Sequence, residues 1–273
     1  MPTSSISSTL LRDLGAIVGP AGLVVDPVAL AVYENDAYTL ERCRPGCVVL
    51  PRSTDEVARV VRRLFEARVP FVPRGAGTGL SGGTLALHGE VMIALNRMNR
   101  ILEVDPANRV AVVECGVINR DLSIRCAPLG LHYAPDPSSQ SACTLGGNVA
   151  ENSGGPHCLK YGVTTNHVLG VKLVTTEGEV LDLGGKAEGG PGYDLLGVLV
   201  GSEGTFGVVT EITVRLTRLP PALRTVLATF LRVEDASRTV SEVIGRGLVP
   251  AALELMDRLA IRAIKMYADG ALG

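Results

Sequence analysis

A glycine-rich segment, Pro73–Gly83, carries the residues of this sequence that are best suited to bind phosphate. It holds five glycines, with hydroxyl donors at Thr78 and Ser81. Glycine permits positive φ and lets the backbone approach a ligand closely, and successive backbone N–H groups form an anion-binding concavity. We therefore expect this segment, here called the glycine loop, to bind the phosphates of a nucleotide.

Two common phosphate-binding motifs do not fit the glycine loop. A P-loop ends in Gly-Lys-Ser/Thr, but no lysine precedes Lys160 in the chain. A Rossmann fingerprint is Gly-x-Gly-x-x-Gly at the start of a long helix, whereas Gly75 and Gly77 are followed by Gly79 and no capped helix begins after Gly83. The interpretation that remains is a coil whose backbone amides surround a diphosphate. A nicotinamide-binding loop that departs from the Rossmann spacing stays open as an alternative.

A second candidate segment, Ala134–Gly155, is long, polar and largely aperiodic. It is rich in Pro, Ser, Asn and Gly, with room for only a short helix around Gly146–Glu151. Long stretches of this kind inside compact domains are usually functional. Small polar residues suit a planar ligand whose heteroatoms are bound by backbone and hydroxyl groups.

The elements that must position these segments begin with a strand–helix–strand unit. A strand is predicted at Val48–Leu50, a capping box at Ser53–Glu56 starts the helix, and Pro70–Pro73 forms the next strand. The two strands are predicted to be parallel, because a helix connects them. The apolar face of this helix comprises Val57, Val60, Val61 and Leu64.

Helical spacing before this unit predicts a helical lead-in, with Leu10, Leu14 and Ile17 on one face. After it, alternating hydrophobicity and turn residues predict further strands and two β-hairpins. The predicted elements are a strand at Val91–Leu95, a hairpin of Ile101–Asp105 with Val110–Cys115, a helix at Asn119–Ala127, a hairpin of Val168–Thr175 with Val180–Leu183, a helix at Tyr193–Val200 and a strand at Gly207–Leu216.

The dipeptide Pro220-Pro221 predicts a domain boundary. Beyond it, the pattern predicts a β-α-β-α run with strands at Val226–Leu231 and Ala251–Met256 and helices at Asp235–Ile244 and Arg258–Met266. Two strands with two helices make only a marginal core by themselves. This run is therefore interpreted as the start of a further domain.

The composition excludes several classes of protein. The net charge is −2, so no strong positive field attracts nucleic acid or anionic lipid. The N-terminus lacks the basic and then apolar pattern of a secretory signal, and the chain is expected to be soluble and intracellular. Cys43 and Cys47 are the only closely spaced cysteines and no second pair or histidine cluster accompanies them, so no metal site is predicted.

Four ordered motifs resemble the FAD-linked oxidase family of the vanillyl-alcohol oxidase and p-cresol methylhydroxylase type. The motifs are the glycine loop, the Pro-Asp-Pro to Asn-Ser-Gly-Gly block within Ala134–Gly155, His157–Gly162 and Gly201–Glu211. Within this family the chain is most similar to the FAD subunit of glycolate oxidase and to D-lactate dehydrogenases, and the resemblance extends from about Tyr33 to Met256. It implies an α+β, two-subdomain FAD-binding fold of the p-cresol methylhydroxylase type.

The implied domains are a helical lead-in, the FAD-binding domain and an incomplete substrate or cap domain. Their ranges are 1–44, 45–219 (subdomains about 45–110 and 111–219) and 220–273.

The resemblance also implies which residues bind the cofactor. The diphosphate would be held by Gly75, Ala76, Gly77, Thr78 and Gly79, with Ser81 close by. Pro135 and Asp136 would approach the flavin or its ribityl chain. The remaining implied residues would line the cofactor channel (Ser141, Thr144, Gly147, Asn148, Ser153, Gly154 and Gly155) or lie near the adenine (Glu203, Gly204 and Val209).

Covalent flavin attachment in this group often uses a histidine in or near the first loop. No histidine precedes His88, so noncovalent FAD is predicted. His157 and Lys160 each have two interpretations, contact with cofactor or substrate and ordinary structural support.

The activity implied by the resemblance is FAD-dependent oxidation of a small 2-hydroxy acid, of the glycolate or D-lactate type, to the 2-oxo acid. Electrons would pass to an iron–sulfur or other electron-transfer subunit, a quinone or oxygen. No nucleic-acid partner is expected, and membrane association is at most peripheral, at the inner membrane of an otherwise cytoplasmic protein. No catalytic or metal-binding residue can be assigned, because the family places these in a C-terminal half. The alternative is a non-catalytic FAD-binding or electron-transfer subunit, or a truncated fragment.

Overall fold

The computed structural model describes residues 6–187 and 192–271, so the start of the predicted 1–44 unit and the end of the predicted 220–273 unit fall outside the described residues. The helices are α1 (Ser8–Val18), α2 (Pro27–Leu30), α3 (Thr54–Ala67), α4 (Asn119–Cys126), α5 (Leu145–Glu151), α6 (Cys158–Tyr161), α7 (Leu195–Leu199), α8 (Val233–Gly245) and α9 (Arg258–Ala271). The strands are β1 (Leu23–Val24), β2 (Cys47–Val49), β3 (Phe71–Arg74), β4 (Val91–Ala94), β5 (Ile101–Asp105), β6 (Val110–Glu114), β7 (Leu131–His132), β8 (Val168–Thr175), β9 (Val180–Gly184), β10 (Gly207–Arg215) and β11 (Thr217–Arg218).

The first sheet has four strands in the order β1-β2-β4-β3. Strands β2 and β3 both run parallel to β4, and β1 is the antiparallel edge. The predicted parallel strand–helix–strand unit is confirmed, with β4 inserted between its two strands. Every residue of β4 is buried, as expected for a central strand covered on both faces. The glycine loop leaves this sheet at the carboxyl end of β3.

Helix α3 begins with the predicted Ser53 cap, because the Glu56 N–H donates to Ser53 Oγ at 3.2 Å. The reciprocal half of the predicted capping box is wrong. A capping box would pair the Glu56 carboxylate with the Ser53 N–H. In the structure this carboxylate instead accepts from the Arg52 N–H at 2.8 Å, because its side chain reaches one residue further back. All four predicted apolar residues of the helix, Val57 to Leu64, are fully buried.

The second sheet is fully antiparallel, with five strands in the order β5-β6-β10-β8-β9. It contains both predicted hairpins, and β10 is the central strand. Helix α3 packs against β8 and β10, and Thr54 Oγ1 donates to Thr210 Oγ1 at 3.0 Å. One hydrophobic core therefore includes α3 and strands of both sheets. A third, two-stranded sheet pairs β7 with β11.

Two later predictions need correction. The helix expected at Tyr193–Val200 is shorter, because Asp194 caps it by accepting from the Gly197 N–H at 2.9 Å. The strands predicted at Val226–Leu231 and Ala251–Met256 are wrong, although both adjoining helices form as α8 and α9. A strand needs a neighbour for its backbone N–H and C=O groups, and the described part of the chain offers none beside these segments.

No helix within the described residues combines the length and apolar character needed to cross a bilayer.

Candidate cofactor-binding cleft

A cleft with a volume of about 880 Å³ lies between the two main sheets. Three segments form its walls: the glycine loop, the segment from Pro137 through α5 to Gly154, and the turn that leads into β10. A cleft of this size is in the range typical of small-molecule sites, roughly 300–1,000 Å³. The two polar segments singled out in the sequence therefore face each other across one space.

The glycine loop adopts a backbone that glycine alone accommodates easily. Gly77 and Gly82 have φ of +70° and +77°. Gly75 packs so closely against the Thr144 hydroxyl that a Cβ there would overlap it. The loop consequently lies against the start of α5, where its residues line the cleft.

Helix α5 supplies the opposite wall. Thr144 caps it by accepting from the Gly147 N–H at 3.2 Å. Gly146 lets the helix approach β6, because a Cβ at that position would lie 2.8 Å from Cys115 Cβ. Such close packing leaves the small residues of the first turn open to a ligand.

A buried polar network orients Asn148 in this wall. The Asn119 amide donates to Asn148 Oδ1 at 3.0 Å and to the Pro135 carbonyl at 2.9 Å, and the Asn148 amide donates to Cys143 Sγ at 3.4 Å. Asn119 Oδ1 is buried without a hydrogen-bond partner. Buried polar groups are normally paired, so this oxygen is an exception beside the cleft.

The third wall is a turn that is hydrogen-bonded to the C-terminal end of α5. The Gly201 N–H donates to the Val149 carbonyl at 2.8 Å and the Glu203 N–H to the Ala150 carbonyl at 2.9 Å. Glu203 has a φ of +53°, a sparsely populated conformation for a residue with a side chain. Burial, together with the charges of Glu203 and Asp36, raises the pKa of the neighbouring Glu151.

Fourteen of the eighteen predicted cofactor-binding residues line the cleft. They are Gly75, Ala76, Gly77, Thr78, Gly79, Ser81, Thr144, Gly147, Asn148, Ser153, Gly154, Glu203, Gly204 and Val209.

The other four residues do not line the cleft: Pro135, Asp136, Ser141 and Gly155. Ser141 is exposed. Asp136 Oδ2 lies 2.5 Å from His157 Nδ1, and Gly155 packs on the Asp136 carbonyl with no room for a Cβ. Asp136 and Gly155 adjoin in sequence two groups of cleft-lining residues, 137–139 and 153–154, so these contacts connect the two groups. Of the two interpretations of His157, the structure thus shows a structural contact, the one with Asp136.

Sequence reasoning missed Asn35–Ala37 and Arg74, which also line the cleft. Arg74 could have been recognised from its place directly before the first glycine of the loop. Asn35–Ala37 gave no such signal, because only tertiary folding brings this distant segment to the loop.

A half-buried histidine, His132, and a buried one, His167, lie next to the Asp136–His157 pair. His167 Nε2 lies 2.8 Å from the Tyr161 carbonyl, and the His132 ring contacts the Tyr161 ring edge-on at 5.9 Å. Burial lowers the pKa of both His132 and His167 below the usual value. The fold therefore holds both rings in the neutral form near neutral pH.

This arrangement predicts that acid destabilises the chain. The unfolded histidines bind protons below a pH of about 6.5 while the folded ones do not, so stability present above that pH is lost as the pH falls through it. We expect a slope of at most about 1.4 kcal/mol per pH unit for each histidine. Chemical unfolding at pH 7.5, 6.5 and 5.5 measures it. The double variant His132→Gln, His167→Gln should flatten the slope, and an unchanged slope would contradict the assignment.

Within the described residues, no group of three or more His, Cys, Asp or Glu side chains is placed to hold a metal ion.

The cleft fits a dinucleotide such as FAD. Its volume is sufficient, and its glycine loop packs against Thr144 so closely that a Cβ on Gly75 would not fit. Comparison with known proteins agrees with this fit. Residues 45–184 match the family described as FAD binding domain, and residues 219–271 match the C-terminal domain of FAD linked oxidases.

Several relatives are similar over most of this chain. Glycolate oxidase subunit GlcD of Escherichia coli K12 is 49% identical over 235 residues, which cover 86% of this chain and 47% of that protein. GlcD of Bacillus subtilis 168 is 41% identical over 96% of this chain and 56% of its own length. D-lactate dehydrogenase of Anaerostipes hadrus is 39% identical over 93% of this chain and 54% of its own length. The chain thus spans about half the length of these relatives.

A solved structure of alkyldihydroxyacetonephosphate synthase superposes with a TM-score of 0.73 at 27% identity. It covers 81% of this chain, which in turn covers 42% of that protein. The fold is thus the FAD-binding fold of the p-cresol methylhydroxylase type, and FAD is the cofactor. The chain belongs to the FAD-linked oxidase family.

Proposed function

We propose that this chain is the FAD-binding part of an oxidoreductase that converts a small 2-hydroxy acid into the 2-oxo acid. The observation that carries the proposal is 49% identity to glycolate oxidase subunit GlcD of E. coli over 86% of this chain. Similarity to a D-lactate dehydrogenase supports the same substrate class. Glycolate and D-lactate are the first candidates.

The residues of this chain would bind and orient the cofactor. The loop residues from Gly75 to Gly79 would donate backbone N–H groups to the diphosphate, with Thr78 and Ser81 adding hydroxyls. Thr144, Gly147, Asn148, Ser153 and Gly154 would line the channel, and Glu203, Gly204 and Val209 would lie at the adenine end. Pro135, Asp136 and Gly155 would act from behind the cleft wall, and we assign no contact to Ser141.

FAD bound in this cleft supplies the acceptor for the hydride that leaves the α-carbon of the substrate. The hydroxyl proton must pass to a base, and no described residue is assigned that role. We propose that electrons leave through an iron–sulfur or other electron-transfer subunit, or through a quinone at the inner membrane surface.

Anaerobic titration of the FAD-loaded protein with 2-hydroxy acids tests the proposed function. We expect glycolate or D-lactate to bleach the flavin when the chain is completed by the C-terminal half of the E. coli subunit, and acetate, which has no hydroxyl group, to leave it unchanged. Bleaching of the chain alone would show that the C-terminal half is not required. Failure of every hydroxy acid to bleach the completed, FAD-loaded protein would overturn the proposal.

A second candidate function is a non-catalytic FAD-binding or electron-transfer subunit. The apolar residues of α9 favour it, because Leu259 and Met266 are 73% and 67% exposed. Exposed apolar surface of this kind marks interaction sites. Size-exclusion chromatography distinguishes the candidates, since a stable monomer would argue against a subunit that depends on a partner.

FAD is predicted to be bound noncovalently. No histidine lies among the described residues that line the cleft, and histidine is the attachment residue expected in this group. Precipitation of the purified protein with acid should release the yellow colour into the supernatant. Colour that stays with the washed pellet would contradict the prediction.

A further inference from the structure

Arg74 is the only basic side chain among the described residues that line the cleft. The same cleft is lined by three carboxylates, Asp36, Glu151 and Glu203. A dinucleotide diphosphate carries negative charge, and backbone amides alone provide only partial positive charges. The position of the one guanidinium therefore decides where in the cleft an anion is favoured.

The Arg74 side chain is buried beside the glycine loop. The residue is 8% exposed, and a Cβ on Gly77 would overlap its guanidinium. Burial lowers the pKa of Arg74, although an arginine in a protein remains protonated. A full positive charge thus lies directly against the loop, at a glycine with positive φ.

Within the described part of the chain, Arg74 has no carboxylate as a hydrogen-bond partner, although the charge of nearby Asp36 favours its protonated form. Arg74 Nη2 donates to the Asn35 carbonyl at 2.7 Å and Nη1 to Thr84 Oγ1 at 3.3 Å. Asp36 approaches but accepts from the Thr84 hydroxyl at 3.0 Å instead of from the arginine. A guanidinium has five N–H donors, and buried charges are normally paired. The site therefore favours a further anion.

The same side chain holds an N-terminal segment across the loop. This segment, Asn35–Tyr38, is here called the strap. The Ala37 N–H donates to the Gly77 carbonyl at 3.0 Å, and the Tyr38 ring lies where a Cβ on Gly82 would come within 3.3 Å. Together with the bond from Arg74 to Asn35, these contacts attach the strap to the loop at three points.

We propose that Arg74 is a positioning residue for the FAD diphosphate. Its guanidinium supplies a full positive charge that the backbone amides of the glycine loop do not provide, and it orders the loop by anchoring the strap. This assignment is independent of the substrate proposed above, because it concerns only how the cofactor is held.

The test compares FAD affinity and thermal unfolding of the whole chain and its variants. We expect Arg74→Gln to raise the Kd for FAD about tenfold to a hundredfold, the range for loss of a hydrogen bond to a charged group. Arg74→Lys keeps the charge without the forked geometry and should give an intermediate Kd. The control Arg120→Gln removes an exposed charge on α4 and should leave the Kd unchanged.

A merely structural role makes a different prediction. If Arg74 were only structural, the FAD-free Arg74→Gln variant would unfold at a lower temperature, but its folded molecules would bind FAD with the original Kd. That result would overturn the proposal. Equal Kd values for the Gln and Lys variants would refute the role of the charge. If Arg74→Gln does not fold, Thr84→Val keeps the charge and removes one of its hydrogen bonds. It should raise the Kd a few-fold, and an unchanged Kd would refute the positioning role.

Discussion

Replacing Gly77 with valine is expected to abolish or strongly weaken FAD binding while both main sheets remain folded. Gly77 has a φ of +70°, which costs a β-branched residue roughly 1–3 kcal/mol. A Cβ at this position would also overlap the Arg74 guanidinium. The Arg74 side chain must shift to make room, and the strained φ is relieved only by a change in the loop backbone, so we expect the Kd for FAD to rise at least about tenfold.

Gly185→Val is the matched control for this experiment. Gly185 follows β9 and has no positive φ, and a Cβ on this residue would meet no atom within 4 Å. Flavin fluorescence titration gives both Kd values, and circular dichroism reports whether the sheets are intact. Wild-type FAD affinity in Gly77→Val would show that the loop does not bind the diphosphate in this conformation.

Replacing Leu64 with alanine is expected to lower the free energy of unfolding by about 2–5 kcal/mol. Leu64 is fully buried on α3, in the core shared by the two main sheets. The cleft lies between these sheets, so a cavity at this position weakens the support of both of its walls. The effect on stability should exceed that of any surface substitution.

Phe65→Ala provides a control within the same helix. Phe65 is 52% exposed, and we expect a change of about 0.5 kcal/mol or less. Urea unfolding of the FAD-free chain measures both variants. Equal losses at the two positions would show that α3 does not join the sheets through Leu64. Saturating FAD should restore part of the stability lost in Leu64→Ala, because the ligand binds the folded state.

Local sequence was sufficient for the elements whose causes are local. The valine face of α3, the Ser53 cap and the two hairpins follow from residue spacing and turn chemistry, and the structure contains them. The predicted hydrogen-bond partner of the Glu56 side chain was wrong by one residue, because several backbone amides at a helix start lie within its reach. The strands after Pro221 were also predicted from local pattern, but a strand requires a partner that local pattern does not supply.

The sequence by itself determined that a glycine-rich coil, without a lysine, is available to surround a phosphate group, and its ordered motifs identified the family. Tertiary structure alone decided which of the predicted residues meet in one cleft. It left Asp136 and Gly155 out of the cleft lining, with Gly155 packed on Asp136 and Asp136 in contact with His157. It also brought Asn35–Ala37 to the loop and buried Arg74 beside Gly77. The physical reason is that burial and charge compensation depend on neighbours distant in sequence, whereas backbone conformation depends mainly on the residue itself.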